Sequence, residues 1–154
     1  EEHGYNEYFD DYEKELLNSN AVDFGGLQTM VIKLFNENPT ILKNYQKQFK
    51  FIMVDEYQDT NLAQFELINL LASESKKLCC VGDLDQGIYS FRDATIQNIL
   101  DFEKHYPGHK LIKLEYNYRS TSHILEAANS VIDNNIHRKK KKLYSTKEEG
   151  SKIK

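Results

Sequence analysis

Two adjacent carboxylates close a short apolar run: Phe51-Ile52-Met53-Val54 leads straight into Asp55-Glu56. That order suits metal-assisted phosphoryl transfer. An aspartate at a strand end can hold Mg²⁺, directly or through water, and a glutamate one residue on can orient the water that attacks a γ-phosphate. Taken by itself, the dipeptide is better read as an ordinary strand meeting solvent. Two further apolar runs change the picture. Leu78 to Val81 ends in Gly82-Asp83-Leu84-Asp85-Gln86, and Lys110 to Glu115 runs on through Tyr116-Asn117-Tyr118-Arg119. Ligands of open parallel sheets gather at the carboxyl ends of the strands, so the three polar clusters are expected to converge.

The elements needed to position these clusters are legible as patterns. Tyr5 to Leu17 reads as a helix, with Tyr5, Tyr8, Phe9, Tyr12, Leu16 and Leu17 as an apolar stripe among acids. Asp23 is a good N-cap for a second helix carrying Phe24, Leu27, Val31, Leu34 and Phe35. Gly25 and Gly26 in its first turn each cost about 1 kcal/mol of helix propensity relative to Ala, so that end is expected to fray. Asn38-Pro39 reads as an N-cap followed by proline at the first helical position. Asn61 and Gln64 have the spacing of a capping box for a helix reaching Ala72. Helices are also expected over Thr95–His105 and Thr121–Asn134, the latter carrying Ile124, Leu125, Ala128, Val131 and Ile132. Strands alternating with helices predict an α/β fold, a parallel sheet covered by helices.

Composition removes other classes. The 154 residues correspond to about one domain. A net charge of −4 means that no bulk positive charge holds the chain on nucleic acid, so any such contact is a local site or belongs to a larger protein. Mean hydropathy is −0.66, and no apolar run approaches the roughly 20 residues of a membrane span. Glu1 to Gly4 has neither the basic nor the apolar region of a signal peptide and no initiator Met, which is what an internal piece of something longer looks like. Adjacent Cys79 and Cys80 point to opposite faces of a strand and read as two buried thiols, and without C-x-x-C spacing a zinc site is not expected. Gly82 and Gly87 have the glycine spacing of a phosphate-binding P-loop, but Ile88 and Tyr89 stand where its Lys and Ser/Thr belong. A basic block, Arg138 to Lys142, reads either as a nucleic-acid or import patch or as a solvated charge run.

Longer words are more specific than any of these pairs. Phe51 to Asn61 reads FIMVDEYQDTN, Val81 to Ala94 reads VGDLDQGIYSFRDA, and Leu114 to Ser120 reads LEYNYRS. In order and spacing they resemble motifs II, III and IV of the superfamily 1 DNA helicases of the UvrD, PcrA and Rep type. NAVDFGGL, Asn20 to Leu27, is similar to that family's ALDFDDL segment, and Ile124 to Asn135 with Lys142-Leu143-Tyr144 resembles the stretch leading into its second motor domain. The resemblance implies part of a RecA-like parallel sheet covered by helices, with flanking helices. Residues 1–20 would be the last helix of a small inserted domain, 21–116 the later half of the first RecA-like motor domain, and 117–154 motif IV with the crossover toward the second. The P-loop half and the second motor domain would lie elsewhere in the same protein.

Roles follow by resemblance. Asp55 matches the Mg²⁺-binding acid, Glu56 the catalytic glutamate, Gln86 the glutamine that senses the γ-phosphate, and Arg119 the arginine that reaches that phosphate from across a cleft. Tyr118 matches the aromatic near the adenine. Gln58 and Asp59 complete motif II as orienting residues, and Arg92 is expected to tie motif III to motif II. Tyr89 and Phe91 stand two apart, so an extended segment presents both to one side, where unpaired bases can stack at about 1–3 kcal/mol each. Simple packing is the other reading of Tyr118 and Phe91. Two departures stand out: Gly25 and Gly26 replace two acids at a helix start, and Gly87 and Asp93 replace the usual Ser and Gly of motif III.

The function implied is ATP-dependent, Mg²⁺-dependent translocation on single-stranded DNA with unwinding at duplex junctions, in repair or replication, with no membrane involved. The compartment implied is the bacterial cytoplasm and nucleoid, or a eukaryotic nucleus or organelle. The alternatives are the helicase part of a RecB or AddA-type recombination nuclease and a non-catalytic, helicase-like DNA-binding module. The chain by itself, lacking the P-loop, is expected to be inactive.

Overall fold

The computed structural model describes residues 3–87, 97–134 and 141–153. Chain order is α1 (His3–Asn18), α2 (Phe24–Glu37), α3 (Pro39–Gln48), β1 (Ile52–Val54), α4 (Leu62–Ala72), β2 (Leu78–Cys80), α5 (Gln97–Leu100), α6 (Phe102–His105), β3 (Tyr116–Asn117), α7 (Ser122–Ile132) and β4 (Tyr144–Ser145). Short 3-10 turns at Tyr57–Asp59 and Leu84–Gln86 follow β1 and β2. Strands β1 and β2 run parallel, with Met53 opposite Cys79, and α4 makes the crossover. Strands β3 and β4 form a second parallel pair, with Tyr116 opposite Tyr144, joined through α7. The described residues thus build two βαβ units, an α/β arrangement with two small sheets.

Local chemistry explains several helix ends. Asp23 caps α2 by accepting from Gly26 N–H at 2.6 Å, and its other carboxylate oxygen accepts from Tyr12 of α1 at 2.9 Å. Instead of fraying, the glycine-containing turn is regular. A Cβ on Gly26 would lie 2.6 Å from Val22 Cγ2, so the small residue is what the tight entry requires. The Asn61–Gln64 capping box is complete, with both reciprocal bonds present. Asn38 departs from expectation: its side chain turns back to donate to Leu34 O at 3.1 Å, closing α2, and makes no side-chain cap on α3. Pro39 nevertheless opens α3 at its first position.

Helices α2, α3 and α4 pack together. Ile32 and Phe35 are buried on α2, Phe35 lies against Tyr45, and Gln46 of α3 donates to Leu70 O at 2.7 Å. Phe24, Leu27 and Leu34 lie exposed, whereas Ile32, outside the expected stripe, is buried together with Phe35. On the other side of α4, Tyr57 meets Phe102 edge-on and Phe65 meets His105. The helix expected over Thr95–His105 is broken at Asp101 (φ −90°, ψ 3°) into α5 and α6, and this bend sets Phe102 against Tyr57. Its beginning, Thr95, lies outside the described residues.

Two further expectations need correction. Lys110 to Glu115 forms no strand; pairing starts only at Tyr116, because a strand needs a ladder partner and β4 reaches no further than Tyr144–Ser145. Leu111, Ile112 and Leu114 are accordingly exposed. Cys79 is exposed rather than buried, since its face of the two-stranded sheet is uncovered among the described residues. Cys80, on the opposite face, is partly covered, and burial, with Cys79 adding to it, pushes its thiol up to about 12.

Candidate functional site

The ends of β1 and β2 are fastened to each other. Val81 N–H donates to Val54 O at 2.8 Å, and Tyr57 N–H donates back to Val81 O at 2.9 Å. Between these bonds the chain must reverse sharply, and Glu56 makes the turn in the left-handed region (φ 49°, ψ 43°). A non-glycine residue there costs on the order of 1–3 kcal/mol and persists only where the surroundings hold it. Here Asp55 Oδ1 accepts from Glu56 N–H at 2.9 Å, and Glu56 O accepts from Asp59 N–H at 2.9 Å. Both carboxylates end up exposed, while Tyr57 and Gln58 are driven inward to 1% and 2% exposure. Burial raises the Tyr57 phenol well above its usual range, as expected of a hydroxyl with no hydrogen-bond partner among the described residues.

Gln58 joins the first two clusters. Its Nε2 donates to Glu56 Oε2 at 2.7 Å and more loosely to Asp59 Oδ2 at 3.4 Å, and its Oε1 accepts from Asp83 N–H at 2.9 Å. Gly82 makes this approach possible. A Cβ at that position would lie 2.9 Å from Gln58 Oε1 and 3.3 Å from Gln58 N. Asp83 in turn accepts from Gln86 Nε2 at 2.8 Å and from Asp85 N–H at 3.0 Å, and pairs with Lys141. Burial pushes the Asp83 carboxyl up, but the Lys141 ammonium, the Gln86 amide and the Asp85 N–H outweigh it and hold the group below the usual carboxylate range. Lys141 is therefore not part of a solvated charge run, one of the two readings of the basic block; Arg138, Lys139 and Lys140 lie outside the described residues.

The third cluster belongs to the second βαβ unit. Asn117 Oδ1 accepts from Arg119 N–H at 2.9 Å and from Ser120 N–H at 2.8 Å, fixing the turn into α7. Ser145 Oγ donates to Ser120 O at 2.7 Å, so β4 clamps the same turn. The side chains of Tyr118 and Arg119 are exposed, and among the described residues no hydrogen bond or ion pair joins them to Glu56 or Gln86. The expected three-way convergence is thus met by two clusters, with the third on a separate sheet because Lys110–Glu115 does not join β1 and β2. Tyr89, Phe91, Arg92 and Asp93 lie outside the described residues.

The donors present fit Mg²⁺ in one particular way. No group of three or more His, Cys, Asp or Glu that could hold a metal occurs among the described residues, so an all-protein cage is not on offer. Asp55 keeps one carboxylate oxygen beyond its bond to Glu56 N–H. A hard oxygen of this kind suits an ion held by one or two carboxylates, phosphate oxygens and water. The sequence placed Asp83 and Asn117 in the polar clusters and Lys141 in the basic block without giving any of them a partner, and it gave no sign of Asn98. Asn98, buried, donates to Thr60 O at 3.2 Å and so pins the end of the Tyr57–Asp59 turn. A short-range signal existed for Asn117 and Asp83, since Asn or Asp entering a turn commonly accepts from backbone N–H groups two or three residues ahead.

Two parallel strands present Asp-Glu and Asp-x-x-Gln at their carboxyl ends, the edge at which ligands of open α/β sheets bind. Comparison with known proteins gives the family. Residues 1–107 match the UvrD/REP helicase N-terminal domain, and residues 112–154 match the UvrD-like helicase C-terminal domain. The chain belongs to the UvrD/REP helicase family. It is 53% identical over 143 residues to ATP-dependent DNA helicase PcrA of Bacillus subtilis, covering 93% of this chain and 19% of that protein. It is 51% identical over 146 residues to the probable DNA helicase II homolog of Rickettsia felis, covering 95% of this chain and 22% of that protein. Against ATP-dependent DNA helicase PcrA of Staphylococcus aureus it is 54% identical over 142 residues, or 92% of this chain and 20% of the relative. The chain spans about a fifth of the length of the curated relatives it matches. Among the described residues no helix is long and apolar enough to cross a membrane.

Proposed function

We propose that this chain supplies part of the motor of an ATP-dependent DNA helicase, one that couples hydrolysis to movement along single-stranded DNA and to unwinding at duplex junctions. The helicase names of its relatives support that class. The observation that carries the site is the bridge through Gln58, which sets Glu56 and the loop bearing Gln86 in one fixed frame. Residues 21–116 then form the later half of a RecA-like domain, 117–154 the crossover toward a second, and residues 1–20 the last helix of an inserted domain. The P-loop half and the second motor domain complete the site from elsewhere in the protein.

In this reading Asp55 holds Mg²⁺, which when bound with ATP neutralises charge on the β- and γ-phosphates. Glu56 orients the attacking water and accepts its proton. Gln86 offers an uncharged amide to the γ-phosphate and loses that contact on hydrolysis. Arg119 gives a guanidinium fork, whose planar geometry matches phosphate oxygens. Tyr118, exposed, is available to stack near the base, and Tyr89 and Phe91 take single-stranded DNA, with Arg92 linking their segment to motif II.

The test uses the longer polypeptide with all motor motifs. Glu56→Gln should retain ATP and DNA binding but lose at least about 10²-fold in hydrolysis, the range for a positioned general base. Arg119→Ala should lose about 10³-fold, as for arginines that reach a transferring phosphate. Wild-type turnover in either variant removes that residue from the site. The 154-residue chain alone should show no DNA-stimulated hydrolysis; turnover that Glu56→Gln abolishes would overturn the claim that the phosphate cradle lies outside it.

A further inference from the structure

Asp83 is the meeting point of three donors from two distant parts of the chain. Oδ2 takes Gln86 Nε2 at 2.8 Å, while Oδ1 takes both Asp85 N–H at 3.0 Å and the ammonium of Lys141. Lys141 also stands 3.7 Å from Asp85 Oδ2. Its side chain retains 23% of its exposure, Asp83 20% and Asp85 9%, so this is not a pair of freely hydrated surface charges. A covered ion pair whose members have further hydrogen bonds fixes geometry in a way that exposed pairs do not. Lys141 enters from the segment between α7 and β4, the segment that feeds the second βαβ unit.

Geometry gives the contact a task. The Gln86 amide has two hydrogens; Asp83 engages its nitrogen, orienting the amide plane and leaving a hydrogen and the carbonyl oxygen for a ligand. A carboxylate beside a phosphate site would repel the phosphate unless its charge were balanced, and the Lys141 ammonium balances it. The network is continuous: Glu56 to Gln58, Gln58 to Asp83 N–H, Asp83 to Gln86 and to Lys141. We infer that Asp83 and Lys141 form a clasp that positions Gln86 and ties its loop to the segment leading into β4, so that both are positioning residues for hydrolysis. This rests on the reading of Gln86 and Glu56 given above.

The experiment compares variants of the longer motor polypeptide in single-stranded-DNA-stimulated ATP hydrolysis. Lys141→Met should lower kcat about tenfold while KM for ATP moves less than about twofold, well within what misorientation of a positioning group costs. Lys141→Arg, which keeps the charge, should recover kcat to within about twofold of wild type. Asp83→Asn combined with Lys141→Met should lose no more than the worse single variant, because both remove one shared contact. Losses that multiply, or a Lys141→Met enzyme with wild-type kcat, overturn the clasp. Should Lys141→Met not fold, Lys141→Gln replaces it, with a reduced kcat in support and a wild-type kcat against. Glu56→Gln assayed alongside separates the two failures. An inactive Glu56→Gln with fully active Lys141→Met removes only the clasp, whereas an active Glu56→Gln removes the site itself.

Discussion

Gln58 Nε2 stands 2.7 Å from Glu56 Oε2, and the other end of the same amide accepts from Asp83 N–H at 2.9 Å. One buried side chain thus holds an exposed carboxylate at the end of β1 and the backbone at the end of β2. Glutamine suits this position because it donates at one atom and accepts at the other, and because it carries no charge into a covered site.

Replacing Gln58 by Leu should therefore cost more than a surface substitution. The Asp83 N–H loses its acceptor, and an orphaned, part-buried donor costs about 1–3 kcal/mol. Urea unfolding of the 154-residue chain measures this. An unchanged midpoint would mean that water replaces the amide and that the bridge holds nothing.

Gly82→Ala should reproduce much of the same loss from the opposite side. The added methyl would lie 2.9 Å from Gln58 Oε1 and 3.2 Å from Ile99 Cδ1, and Gln58 is pinned at both ends. Forcing a methyl into such a contact typically costs about 1–3 kcal/mol. Thermal melts of Gly82→Ala and Gln58→Leu, singly and together, should show less than additive losses, because both act on one contact.

Acid should weaken the Asp83 contacts in a definite direction. The folded carboxyl titrates below its ordinary value of 3.8. Its stabilising effect is therefore complete above that value and is lost as pH falls through the folded pKa. Asp83→Asn, which cannot titrate, should show a smaller fall in Tm on acidification than the wild type. Parallel Tm–pH curves for the two proteins would remove the Asp83 charge from the stability of this loop.

The two thiols should differ sharply. At pH 8 an alkylating reagent should modify exposed Cys79 of the 154-residue chain, whereas Cys80, pushed up to about 12 by burial, should react at least about tenfold more slowly until the chain is unfolded. Mass spectrometry of a time course reads both sites. Equal rates would show that the two faces of β2 are equally open.

Much of the local structure is encoded locally. Asp23 and the Asn61–Gln64 box mark helix starts because a cap is a contact between residues three positions apart, and Pro39 marks one because its fixed φ suits the first helical position. The apolar runs ending at Val54 and Val81 became β1 and β2 because each is the other's ladder partner, joined by a crossover helix, even though Met53 and Cys79 lie on an exposed face. The words around Asp55, Gln86 and Arg119 carried the family, which the domain matches bear out.

Tertiary structure decided what depends on partners far along the chain. Lys110 to Glu115 has a strand-like composition, yet no described strand lies beside it to form a ladder. The left-handed turn at Glu56 follows from β1 and β2 being fastened on both sides of it, not from a preference of glutamate. Asp83 and Lys141 carry no shared pattern at all; their contact exists because the second βαβ unit returns its connecting segment to the end of the first. Periodicity and caps report neighbours within a turn or two, whereas the meeting of separate segments is set by packing of whole elements.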